Sequence, residues 1–191
     1  MRWLTLYLRC RGVPAAAGAA AAGVLVLWGL GQTAEEPRLR LAVALLSTLV
    51  AVVAFGPGLA GADPALERTA SLPWPPRRAA HILAVMATAT LIAAVPALTG
   101  EPLATAALMI RNTTGLGGLL AVGAVWGAQW AWLLPVGWTL VVILSGPASG
   151  HLYQEILTWM LQPAATASAA ACAATIAVVG VVTHAVLGGR R

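Results

Sequence analysis

Six apolar runs, each about as long as a bilayer crossing, fill most of this chain, and only one of them carries a charge in its interior. A helix needs about 20 apolar residues to traverse the hydrocarbon core. Of 191 residues, 60% are hydrophobic and only 9% charged, where a soluble domain carries roughly 25% charged residues. There is too little polar surface here to face water on all sides. The pattern predicts an all-α polytopic membrane protein, a single transmembrane domain over residues 1–191. It excludes a disordered chain, a collagen-like repeat and a secreted disulfide scaffold.

The crossings are expected at about 13–31, 39–55, 80–98, 103–124, 129–146 and 165–187. Residues 1–12 precede them, with Arg2, Thr5 and Arg9 at helical spacing and Trp3, Leu6, Tyr7 and Cys10 largely on the other side. That pattern suits an amphipathic helix lying in the membrane interface. Span one is small-sided, from Ala15 to Ala22 with Gly18 and Gly23, and small residues four apart let apolar helices approach closely. Two polar stretches exceed what chain reversal requires: a connector at 57–79 and an insertion at 147–164.

Every basic residue is arginine; lysine is absent. A phosphate-gripping G-x-x-x-x-G-K-[ST] loop and a lysine Schiff base are therefore both excluded. The net charge of +5 does not point to nucleic acid, because the arginines flank apolar runs. Arginine near span ends is retained on the cytoplasmic side. One side of a six-span chain receives eight arginines (2, 9, 11, 68, 77, 78, 190 and 191) and the other two, Arg38 and Arg40. Both termini are expected to be cytoplasmic. Cys10 and Cys172 form no C-x-x-C and read as small hydrophobes.

In the connector, Asp63 is a suitable N-cap and Pro64 a suitable first helical residue. A two-turn helix from Pro64 to Ala70 is expected, carrying Leu66, Glu67 and Arg68 and stopping before Pro73. Trp74 then lies between prolines, and Arg77 and Arg78 open span three. Arg111 is the charge inside an apolar run, followed by Asn112, Thr113 and Thr114. An arginine near the bilayer centre costs a few kcal/mol. Two readings stand: these residues line a polar pathway, with Glu101 a possible partner, or 103–114 is a shallow re-entrant piece whose arginine reaches headgroups.

The insertion places His151, Glu155 and Thr158 on one helical face and Leu152, Ile156, Trp159 and Met160 on another. That predicts an outer interfacial helix. His151 and Glu155 lack a further ligand, so no metal site is expected, nor any catalytic residue. Trp126, Trp130, Trp132 and Trp138 around the turn between spans four and five read as interfacial anchors. His81 and His184 read as packing or interfacial residues.

An amphipathic leading helix, six spans, a helical connector after span two and a helix before span six together resemble the permease subunits of type 2 ABC exporters. Local stretches are similar to small actinobacterial members: Asp63-Pro-Ala-Leu-Glu-Arg-Thr-Ala70, Trp74-Pro-Pro-Arg-Arg-Ala-Ala-His81, Arg111-Asn-Thr-Thr-Gly115 and Trp130-Ala-Trp-Leu-Leu-Pro135. The resemblance implies a bacterial plasma-membrane location and a coupling helix around Asp63 to Arg68. It also implies a separate ABC ATPase that binds ATP and magnesium, and a homodimer or heterodimer of permeases; this chain itself is expected to hold no cofactor. Two other classes compete. Substrate-binding subunits of energy-coupling-factor vitamin importers have a similar size and dock through small faces such as Ala15, Ala19 and Gly23. An integral membrane enzyme ranks last, because the six acids are scattered through loops.

Overall fold

The computed structural model describes residues 2–60, 74–96, 102–146 and 150–189. Within them the chain is helical, with one isolated backbone bridge between Ala60 and Gly189. Six helices are long and apolar enough to cross a bilayer: Val13–Gln32, Pro37–Leu59, Trp74–Ala94, Ala106–Trp126, Ala128–Ser145 and Ala167–Leu187. They are called spans one to six below.

Local chemistry sets where each helix begins and ends. The short helix α1 (Arg2–Cys10) stops at Gly12, whose φ of 66° lies in the left-handed region that glycine adopts without strain. Pro14 then sits in the first turn of α2 (Val13–Gln32), where a missing N–H has no partner to lose. Pro37 opens α3 (Pro37–Val53) in the same way, and a 3₁₀ turn at Gly56–Leu59 extends span two beyond the expected end at 55.

Span three departs from expectation most. It is formed by α4 (Trp74–Ala94), so Trp74, Pro75 and Pro76 lie in its first turn and not in a separate connector segment. The reason is the same tolerance of proline where no intrahelical N–H is used. Thr105 caps α5 (Ala106–Trp126), its hydroxyl accepting from the Leu108 N–H at 3.4 Å, which moves the start of span four from 103 to 106. Span five joins a 3₁₀ turn at Ala128–Trp130 to α6 (Leu133–Ser145). A short helix α7 (Leu152–Leu157) precedes α8 (Ala167–Leu187), the sixth span.

Span four is the inner post. It packs against spans two, three, five and six, and 78% of its most apolar stretch is buried, against 11% for span one. Spans four and six meet backbone to backbone. A Cβ on Gly118 would collide with the Ile176 carbonyl and the Ala177 Cα, and one on Gly180 with the backbone of Gly118. Without a hydrophobic drive between helices in lipid, such close packing supplies the attraction. Span one lies at the edge, on spans two and three. Of its small residues, Ala15 and Ala19 are exposed, while Gly23 faces Val50 of span two.

Arg11, Ala60 and Gly189 lie together at one end of the bundle, here called the connector end. Ala60 pairs with Gly189, and the Arg11 guanidinium donates to the Gly58 and Leu59 carbonyls at 3.3 Å each. Trp126, Trp130 and Trp132, all exposed, ring the turn at the same end.

The glycine crossing generates a direct comparison. Gly180→Val should cost roughly 1–3 kcal/mol of stability, as overpacking does. Gly29→Ala, inside the same class of helix with open space around it, should lose no stability and gain up to about 1 kcal/mol of helix propensity. Thermal unfolding of both variants in one detergent checks this, and equal melting temperatures contradict the crossing.

Candidate functional site

The charged residue inside span four organises the far end of the bundle, opposite the connector. Arg111 lies five residues past Ala106, about 7–8 Å along the axis at 1.5 Å per residue. It is therefore closer to the helix start than a span beginning at 103 would place it. The helix passes through Arg111 to Gly115 without a break, so the shallow re-entrant arrangement is not what this segment adopts.

Arg111 is 7% exposed, and its guanidinium is bonded to backbone carbonyls. One terminal nitrogen donates to the Pro163 oxygen at 2.9 Å; the other donates to Gln162 at 2.6 Å and Met160 at 3.5 Å. The Asn112 amide adds a donor to the Met160 carbonyl at 3.2 Å. Glu101, the partner considered from sequence, lies outside the described residues. Among the described residues, carbonyl dipoles are what meet the Arg111 charge. The guanidinium in turn satisfies buried acceptors that irregular backbone would otherwise leave unpaired.

Those carbonyls are in place because the segment before span six is not one long interfacial helix. α7 ends at Leu157. Thr158 N–H donates to the Gln154 oxygen, and the Gln162 side-chain amide donates to the Thr158 hydroxyl at 2.8 Å, closing a turn that carries the chain inward. Trp159 and Met160, expected on a membrane-facing stripe with Leu152 and Ile156, are fully buried. The Trp159 ring lies where a Cβ on Gly115 would stand. Thr158, expected on the polar face with His151 and Glu155, is buried too. His151 remains exposed and stacks on Tyr153, with ring centroids 5.7 Å apart. Glu155 accepts a hydrogen bond from the Ser168 hydroxyl of span six.

The four residues Arg111 to Thr114 face different neighbours. Arg111 and Asn112 engage the 160–163 backbone. Thr113 donates to its own helix and lies 2.7 Å from the Thr90 hydroxyl of span three. Thr114 lines a shallow apolar groove of about 290 Å³ with Leu83, Met86 and Val178. The buried Arg111 Nε, Asn112 Oδ1 and Trp159 Nε1 have no hydrogen-bond partner among the described residues.

At the connector end, Asp63, Pro64, Leu66, Glu67 and Arg68 lie outside the described residues. Trp74, Arg77 and Arg78 do not. The Arg77 guanidinium sits 5.9 Å from the Trp74 ring, and Arg78 lies against Gly188 at the end of span six. The root of the connector is fixed from three sides. Arg11 binds the Gly58 and Leu59 carbonyls, His81 Nε2 donates to the Gly58 carbonyl at 3.3 Å, and Tyr7 meets the His81 ring edge-on at 5.6 Å. His81 and His184 are buried, which agrees with their reading as packing residues.

Sequence reasoning overlooked Thr90, Gly115 and the 158–163 turn. The available signal was a glycine directly after the Arg-Asn-Thr-Thr run, which leaves room for a large ring. No group of three or more metal-ligating side chains exists among the described residues. No protein-family model, curated protein or solved structure matches this chain. Its class rests on the fold alone: all-helical, with six helices able to cross a membrane.

The carbonyl clamp yields a stability test. Arg111→Gln removes donors from buried carbonyls, and each unsatisfied group costs roughly 1–3 kcal/mol. The variant should melt lower and exchange amide hydrogens faster over 158–163. Arg111→Lys should fall between, because an ammonium cannot reproduce the planar fork. Exchange at 158–163 that is unchanged in Arg111→Gln overturns the clamp.

Proposed function

We propose that this chain is the membrane-spanning permease subunit of an ATP-driven exporter, resembling the type 2 ABC class and driven by a separate ATPase. The carrying observation is the convergence at one end of the bundle. Residues 58–60, the first turn of span three, Gly188–Gly189 and Arg11 all meet there. A partner pressing on the segment 61–73 therefore acts directly on spans two and three, and through Arg78 and Gly189 on span six.

In this reading the connector end is cytoplasmic in a bacterial plasma membrane. Asp63 to Arg68 form the coupling surface, flanked by Trp74, Arg77 and Arg78. ATP and magnesium bind in the partner, since this lysine-free chain cannot build a phosphate loop of that kind. Span one, buried over only 11% of its apolar stretch, presents Ala15 and Ala19 outward. Small residues on a lipid-facing helix favour close pairing with another chain, which supports a permease dimer with the pathway between or along its protomers.

The double variant Glu67→Ala, Arg68→Ala should insert into the membrane at parental levels. It should retain several-fold less ATPase in a pull-down of the tagged protein and transport correspondingly less. Parental co-purification and transport contradict the coupling role.

A further inference from the structure

A groove of about 400 Å³ runs between α7 and span six, lined by Leu152, Ile156, Ala171, Cys172, Thr175 and Ser168 among others. Its volume lies at the small end of ligand-binding clefts, enough for one alkyl chain and not for the two of a diacyl lipid. Its wall is mostly apolar, and at one edge a carboxylate stands beside it. There Ser168, itself part of the lining, donates its hydroxyl to the Glu155 carboxylate. Glu155 is half-buried, and among the described residues no guanidinium pairs with it. A carboxylate at the rim of apolar surface attracts a cation more strongly than one in open water, because the local dielectric is lower.

We propose that this groove binds a single-chain amphiphilic amine, with the alkyl chain along Leu152, Ile156 and Ala171 and the ammonium on the Glu155 carboxylate. The ammonium has three donors, matching an acceptor-only carboxylate that already takes one hydrogen bond from Ser168. An anionic amphiphile of the same length fits the apolar wall equally but sets like charge against Glu155. Chain burial gives affinity and the carboxylate gives the preference for a cation. The proposal does not depend on the transport reading, since binding to the isolated chain is its only requirement.

The test is native mass spectrometry of the purified full chain in a non-ionic sugar detergent, titrated with dodecylamine or dodecanoate at neutral pH. The parent should retain one dodecylamine per chain and little dodecanoate. Glu155→Gln should weaken retention about tenfold, the scale of one charged hydrogen bond. Ala171→Trp, which fills the groove from an exposed position without touching the carboxylate, should abolish it. Equal retention of dodecanoate, retention unchanged in either variant, or none by the parent overturns the proposal. If Glu155→Gln does not fold, Ala171→Trp and the dodecanoate comparison still decide.

Discussion

A guanidinium buried among apolar helices must have its charge answered by something close. Among the described residues of this chain, backbone carbonyls answer it. Arg111 and Asn112 draw the oxygens of Met160, Gln162 and Pro163 toward span four, and the surrounding far-end structure follows from that. The chain after α7 has to leave helical geometry at Thr158 to present those carbonyls. Turning inward carries Trp159 and Met160 into the bundle, and Gly115 leaves the space in which the indole lies. The cation and the irregular backbone are each costly to bury alone, and together each offsets part of the other's penalty.

The same device operates at the opposite end. Arg11 donates to the carbonyls of Gly58 and Leu59, where span two stops and the connector starts. Two arginines thus bind backbone carbonyls at the two ends of the bundle. A guanidinium suits this task because one planar fork can serve several acceptors. Between those ends the helices are held by contact. Gly118 and Gly180 bring spans four and six together at backbone distance, and span four is enclosed on nearly every side. Span one, outside this arrangement, is the least buried of the six.

Much of the architecture was legible because hydropathy and length act locally. The six span-length apolar helices, the glycine break after α1 and the exposure of Trp126, Trp130 and Trp132 follow from residues near one another in sequence. Trp138, grouped with them from sequence, packs half-buried against the core. What was not legible depends on distant partners. Trp74-Pro-Pro reads as a breaker until helix-start tolerance is weighed, and it opens span three. Arg111 prompts a search for a carboxylate, whereas its partners among the described residues are backbone atoms that no residue name reveals. Trp159 reads as an interfacial aromatic because its helix looks continuous to Leu161, and only the turn at Thr158 buries it. The small residues of span one invite close packing, yet the tightest crossing falls at two single glycines on spans four and six. The coupling role proposed for Asp63 to Arg68 rests on the sequence alone.

The proposed topology is that the six candidate crossings place Cys10 and Gly189 on one side of a membrane and the Arg111 clamp on the other. Labelling with a membrane-impermeant maleimide in sealed, oriented vesicles tests it most directly. The natural Cys10 serves in a Cys172→Ser background, and His151→Cys or Gly189→Cys serves with both natural cysteines removed. The account predicts that positions 10 and 189 react from one side and position 151 only from the other. Reaction of 10 and 151 from the same side contradicts it.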